Sequence, residues 1–157
     1  MHTKCRIKPM PRRGFDIMLT MRDDLMNTYR RVFDKCRTQK EAYAKTIKQP
    51  APRFYVSPKQ AYEVMRVLVS GNTSVLERMS GTRRRMYKDM FNILLRMMQK
   101  PEYTGKSLWF ICQFLVVQPA PEFYYSVSSM EDLFSLYRKY GRRFHHDEVY
   151  QSKKRAL

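Results

Sequence analysis

Apolar residues recur along most of the chain at intervals of three and four, the spacing that places them on one face of an α-helix. Leu25, Tyr29, Val32, Phe33 and Cys36 form one such stripe and predict an amphipathic helix over roughly 20–36. Arg30, Arg31, Lys35 and Arg37 sit toward its C-terminal end, where the helix dipole favours cations. A second stripe, Ala61, Val64, Met65 and Leu68, lies between Ser57-Pro58-Lys59-Gln60 and Ser70-Gly71. The first flank is a capping box with proline at the first helical position, and the glycine of the second suits a left-handed C-cap. Met86, Met90, Phe91, Leu94, Met97 and Met98 make a third stripe, which Thr82 is expected to cap and Pro101 limits. Thr38-Gln39-Lys40-Glu41 and Ser128-Ser129-Met130-Glu131 read as two further capping boxes. The first opens a helix that Pro50 ends; the second opens one carrying Leu133, Phe134, Tyr137 and Tyr140 up to Gly141. Residues 108–117 are apolar nearly all round, which fits a central buried helix or, by period alone, a buried strand.

Self-similarity favours the helix. Gln49-Pro50-Ala51-Pro52-Arg53-Phe54-Tyr55-Val56-Ser57 recurs 69 residues later as Gln118-Pro119-Ala120-Pro121-Glu122-Phe123-Tyr124-Tyr125-Ser126, identical at seven of nine positions. Each copy follows one helix-like segment and precedes another, so residues 108–117 take the role that 40–48 has before the first copy. Pro50, Pro52, Pro119 and Pro121 stop the preceding helix and hold the backbone extended, making each copy a rigid connector. Phe54, Tyr55, Phe123 and Tyr124 are expected as buried anchors, with exposed platforms for base stacking as the alternative, and Ser57 and Ser126 close the motif. The expected fold is all-α: a compact domain of six to seven helices built from an internal duplication of helix, helix, QPAPxFYxS, helix. Its expected parts are a basic arm (1–15), a first repeat (16–71), a linker with room for one or two helical turns (72–81), a second repeat (82–141) and a basic tail (142–157). The repeats share one core, because about 70 residues alone bury too little surface.

Charge changes the picture from a plain helical domain to one with an acidic partner. Of 157 residues, 31 are Lys or Arg and 14 Asp or Glu, a formal net charge of +17. Residues 1–100 hold 23 basic and 8 acidic side chains, whereas 101–137 hold one basic and four acidic. Such segregation favours a binding face, and a hydrophobic content of 43% excludes a wholly disordered basic tail. The dense spots are Arg12-Arg13, Arg30-Arg31, Arg83-Arg84-Arg85 with Lys88, Arg138-Lys139 with Arg142-Arg143, and Lys153-Lys154-Arg155. Those at 83–88 begin a helix, whose free N–H groups already attract an anion. Lys59 and Arg66 on the helix after the first connector invite comparison with a helix-turn-helix reader, although nine connector residues exceed the usual three or four. Gln60 is compromised as a base reader if its amide completes the capping box.

Catalytic chemistry finds little support. Cys5, Cys36 and Cys112 form no CxxC pair, so neither a disulfide framework nor a zinc finger is expected. His145-His146-Asp147-Glu148 reads as a solvated tail, and the phosphate-loop, dinucleotide and nucleophile-elbow motifs are missing. No enzyme activity, cofactor or metal is expected. The expected function is non-enzymatic binding of nucleic acid through phosphates, duplex DNA before RNA. The alternative is a structural or assembly protein, oligomeric or part of a larger assembly, whose basic surface neutralises packaged nucleic acid. The longest apolar run is about ten residues, half a membrane span, and no signal peptide is expected, so the reading is of an intracellular protein with no membrane partner.

At the QPAPxFYxS copies the chain resembles uncharacterised small basic proteins of gut anaerobes and their phages and mobile elements, which carry Pro-Ala-Pro-Arg-Phe-Tyr-Val-Ser before a helix. The resemblance covers Gln49 to about Met65 and, more loosely, Gln118 to Phe134, where Glu122 replaces Arg53 and Val127 replaces Pro58. It implies a phage or mobile-element setting, hence the cytoplasm of a bacterial host or, for the alternative, a virion. It carries no function.

Overall fold

The computed structural model describes residues 14–140. Among them are seven α-helices: α1 (Gly14–Phe33), α2 (Gln39–Lys48), α3 (Pro58–Val69), α4 (Ser74–Glu77), α5 (Gly81–Met98), α6 (Leu108–Leu115) and α7 (Val127–Tyr140). A single 3₁₀ turn, Pro101–Tyr103, joins α5 to α6. The fold is all-α, as the hydrophobic periodicity implies.

The helix ends show which capping signals are used. At α3 the box is complete: Ser57 Oγ accepts the Gln60 N–H, and the Gln60 side-chain oxygen accepts the Ser57 N–H. Its other end closes with Gly71 at φ +90°, the Asn72 N–H bonding Val67 O and the Gly71 N–H bonding Leu68 O, a left-handed cap that glycine adopts without strain. At α2, Thr38 accepts the Glu41 N–H, but Glu41 reaches back to the Arg37 N–H rather than completing the box mainly on Thr38.

Two expected caps are displaced. Ser80, not Thr82, caps α5, because extended backbone at Ser80 lets its Oγ accept the Arg83 N–H. Ser126, not Ser128, caps α7 by accepting the Ser129 N–H, so both connectors end in the same way, with their own serine as cap. Helix α1 begins before the expected residue 20 and stops at Phe33, where the chain tightens into Lys35–Val32 and Cys36–Phe33 backbone bonds. That turn leaves Phe33 exposed rather than inward. Met98, also expected inside, is exposed, while Tyr87, outside the expected stripe, is fully buried.

The two connectors cross at the centre of the molecule. Ala51 and Ala120 exchange backbone hydrogen bonds of 3.0 and 2.9 Å as an isolated antiparallel bridge. The Phe54 N–H then bonds Val116 O at 3.0 Å, and the Phe123 N–H bonds Ile47 O at 3.2 Å. Each connector thus satisfies a carbonyl at the end of the helix that precedes the other, at positions 69 residues apart. The rings interlock likewise: Phe54 stacks on Tyr124 at 6.1 Å, and Phe123 on Tyr55 at 6.0 Å. Both phenylalanines are buried and both tyrosines half-buried, an anchoring arrangement in place of open stacking platforms.

Each tyrosine hydroxyl donates to an aspartate of a long helix, Tyr55 to Asp24 on α1 at 2.6 Å and Tyr124 to Asp89 on α5 at 2.5 Å. Tyr124 has φ +54°, a left-handed conformation costly for a residue with a Cβ, and this hydrogen bond and the Phe54 ring hold it there. Crossing connectors send each last helix across: α1 packs on α2 and α5 on α6, but α3 packs on α6 and α7 on α2. One core results, centred on Leu25, Phe54, Met65, Met90, Leu94, Leu115 and Met130.

Candidate nucleic-acid interface

The sequence-nominated cations separate into two groups by what their side chains touch. Arg30 and Arg31 are exposed in the last turn of α1, with Arg31 donating to Thr28 Oγ1 at 3.2 Å. Lys59 and Arg66 are exposed on α3, seven residues or about two turns apart and so on one side of it. Arg83 and Lys88 are exposed on α5, the Arg83 guanidinium lying 5.6 Å from the Tyr87 ring centroid. Arg30, Lys59, Arg66 and Lys88 have no carboxylate partner among the described residues. Gln60, in contrast, is held in its capping box. Arg12, Arg13, Arg142, Arg143 and the His145–His146 pair lie outside the described residues.

Arg84 and Arg85 are committed within the fold. Arg84 turns back to α4 and donates to three carbonyls, Leu76 O at 2.9 Å, Glu77 O at 3.1 Å and Met79 O at 3.2 Å. Leu76 O also accepts the Met79 N–H, so the guanidinium adds to the backbone turn that closes this four-residue helix and ties in the Glu77 and Met79 carbonyls beside it. Arg85 binds Glu122 of the second connector through Nε and Nη2, and Lys48 Nζ lies 3.9 Å from the other Glu122 oxygen. Hydrogen bonding to Glu122 raises the Arg85 pKa above its ordinary value. Of the basic run expected to hold a phosphate, Arg83 and Lys88 are exposed without a carboxylate partner among the described residues, Arg85 is exposed but paired with Glu122, and half-buried Arg84 fastens α4.

One sequence signal pointed to this: Glu122 stands where the first copy has Arg53. Arg53 is half-buried and donates to Phe54 O at 3.0 Å. Burial lowers its pKa, with Tyr55 and Asp24 acting in the opposite direction. The two connectors thus carry opposite charges at one position, Glu122 ion-paired with Arg85 and Arg53 hydrogen-bonded to the Phe54 carbonyl. Arg22, which sequence reasoning did not single out, is buried beside a shallow cleft of about 180 Å³ shared with Met18, Tyr125, Asp132 and Leu136. Burial lowers the Arg22 pKa and raises that of Tyr125.

Burial pushes the Cys112 thiol up to about 11, away from the thiolate a nucleophile needs. Burial, then hydrogen bonding to aspartate, raises Tyr55 and Tyr124 above the ordinary phenol value, which keeps them as neutral donors. Among the described residues no three His, Cys, Asp or Glu side chains are grouped as a metal would require, and no helix is long and apolar enough to cross a membrane. No family model, curated protein or solved structure matches the chain.

Proposed function

We propose that this chain is a non-enzymatic nucleic-acid-binding protein, DNA before RNA, that holds phosphates through Arg30, Arg31, Lys59, Arg66, Arg83 and Lys88. Arg12, Arg13, Arg142 and Arg143 add charge from the two ends. The observation that carries this reading is the set of exposed cations without carboxylate partners on a chain of net charge +17. Uncompensated like charge destabilises a compact state, and a polyanion relieves it. Arg84 and Arg85 support this surface without belonging to it. A duplicated helix, helix, connector, helix unit accounts for the reciprocal contacts 69 residues apart, and the stretch 101–137 within its second copy, with one basic and four acidic side chains, serves as scaffold.

The test is charge reversal at Arg83 and Lys88 together. Affinity is expected to fall for every sequence alike, with the log–log salt slope shallower by about 2, near 0.9 per lost phosphate contact. Unchanged affinity and slope would remove this face from the interface. A second reading, a structural or assembly protein of a phage or mobile element, draws on Leu95 and Met98, exposed three residues apart on α5. It requires self-association without nucleic acid, which light scattering measures.

A further inference from the structure

We propose that the outer edge of the α3–α6 junction stacks an unpaired base, so that the protein takes a single-stranded nucleic-acid segment there; this rests on the nucleic-acid reading above. Trp109, the chain's one tryptophan, stands in the first turn of α6 with 41% of its surface exposed. Tyr62 of α3 meets it edge to face, the ring centroids 5.5 Å apart and the planes at 90°. A perpendicular pair fixes both rings while leaving at least one face of each uncovered by the other.

The fold itself does not call for aromatic rings at this place. Residues 69 positions away, Lys40 and Glu131, occupy the corresponding places on α2 and α7, which pack together as α6 and α3 do. Both are exposed and polar. One junction is thus completed with solvated charges, and the other carries an exposed indole braced by a half-buried phenol ring. Packing against the core accounts for part of Tyr62 but not for the exposed Trp109 ring, which a ligand with a flat apolar face would cover.

Charge around the rings narrows the ligand. Lys59 precedes Tyr62 by three residues and Arg66 follows it by four, which places all three on one side of α3. Lys106 adjoins the start of α6 with its ammonium 5.3 Å from the Phe110 ring centroid. Glu63 is an exposed carboxylate on α3 beside Tyr62, outnumbered by these three cations. Aromatic faces bordered by cations match a strand whose bases are free to leave the stack, with phosphates meeting Lys59, Arg66 and Lys106. A paired duplex keeps its base faces covered and cannot use the rings.

The full-length, nuclease-treated protein is titrated with labelled oligothymidylate and with a duplex of the same length. Anisotropy reads binding, and Trp109 emission reads stacking without a second fluorophore of its kind. Oligothymidylate is expected to quench Trp109. Trp109→Ala and Tyr62→Ala are expected to weaken single-strand binding about five- to hundredfold with little change on the duplex, and Trp109→Phe to keep most of the affinity. Saturating single-strand binding without quenching, or equal losses on both ligands, overturns the stacking site and leaves the phosphate reading standing. An emission shift that follows protein concentration alone assigns the rings to self-association and also overturns it. No binding of either ligand at low salt overturns both readings. Should Trp109→Ala fail to fold, wild-type quenching and Trp109→Phe decide the matter.

Discussion

Replacing Arg84 with alanine should destabilise the protein and leave nucleic-acid binding intact, although Arg84 lies in the densest basic run of the chain. The guanidinium donates to Leu76, Glu77 and Met79 carbonyls, which hold the end of α4 against the start of α5. A hydrogen bond from a charged donor contributes about 1.5–3 kcal/mol, but these carbonyls are partly solvated and regain water when the donor is lost. The three together are therefore worth about 1–3 kcal/mol, to which loosening of buried Leu76 adds little. For a domain of this size that is a fall in Tm of about 3–10 °C. Arg84→Lys should lose most of the same stability, since one ammonium cannot span three carbonyls in the geometry of a planar fork. Arg83→Ala should behave in the opposite way, with Tm nearly unchanged and affinity reduced. Thermal unfolding followed by circular dichroism, with binding measured well below the transition, separates the two. An Arg84→Ala protein that keeps its Tm and loses binding would refute the assignment.

Other expectations follow from the connectors. Phe54→Ala and Phe123→Ala each remove a buried ring and should cost about 3–5 kcal/mol in urea unfolding. The double variant should depart from additivity by about 0.5–3 kcal/mol, because the two connectors share a bridge and interlocked rings; strict additivity would mean that they act independently. Tyr55→Phe and Tyr124→Phe each delete a hydrogen bond to a carboxylate and should cost about 1–3 kcal/mol. Tyr43, Tyr55, Tyr124 and Tyr125 all have raised pKa values, burial being the largest cause of each. The unfolded chain therefore ionises first, so their contribution is whole below about pH 10 and declines as pH rises above it. A urea midpoint that increases above pH 10 would contradict this.

What the sequence made legible was local. Ser57-Pro58-Lys59-Gln60 specified its helix start because serine, proline and glutamine act within one turn, and Gly71 specified the end for the same reason. Thr82 and Ser128 failed as caps because two serines, Ser80 and Ser126, lay two residues earlier, and connector geometry decided between them. Residues 108–117, apolar nearly all round, gave no side to the helix; packing against α3 and α5 set Trp109 and Val117 outside. The repeat located the connectors, but a period carries no information about which helix a connector leads to, so the exchange of α3 and α7 emerged only in three dimensions. The basic run at 83–85 was visible as charge. That Arg84 reaches back eight residues and Arg85 forward to Glu122 depends on tertiary placement.

The central claim is that exposed, unpartnered cations bind nucleic acid through its phosphates. The salt dependence of the wild-type affinity for duplex DNA, single-stranded DNA and RNA tests it most directly. About six phosphate contacts predict submicromolar binding at low salt and a log–log slope near −5 on a duplex, shallower on single strands. Absence of binding at low salt, or an affinity that salt leaves unchanged, would contradict it.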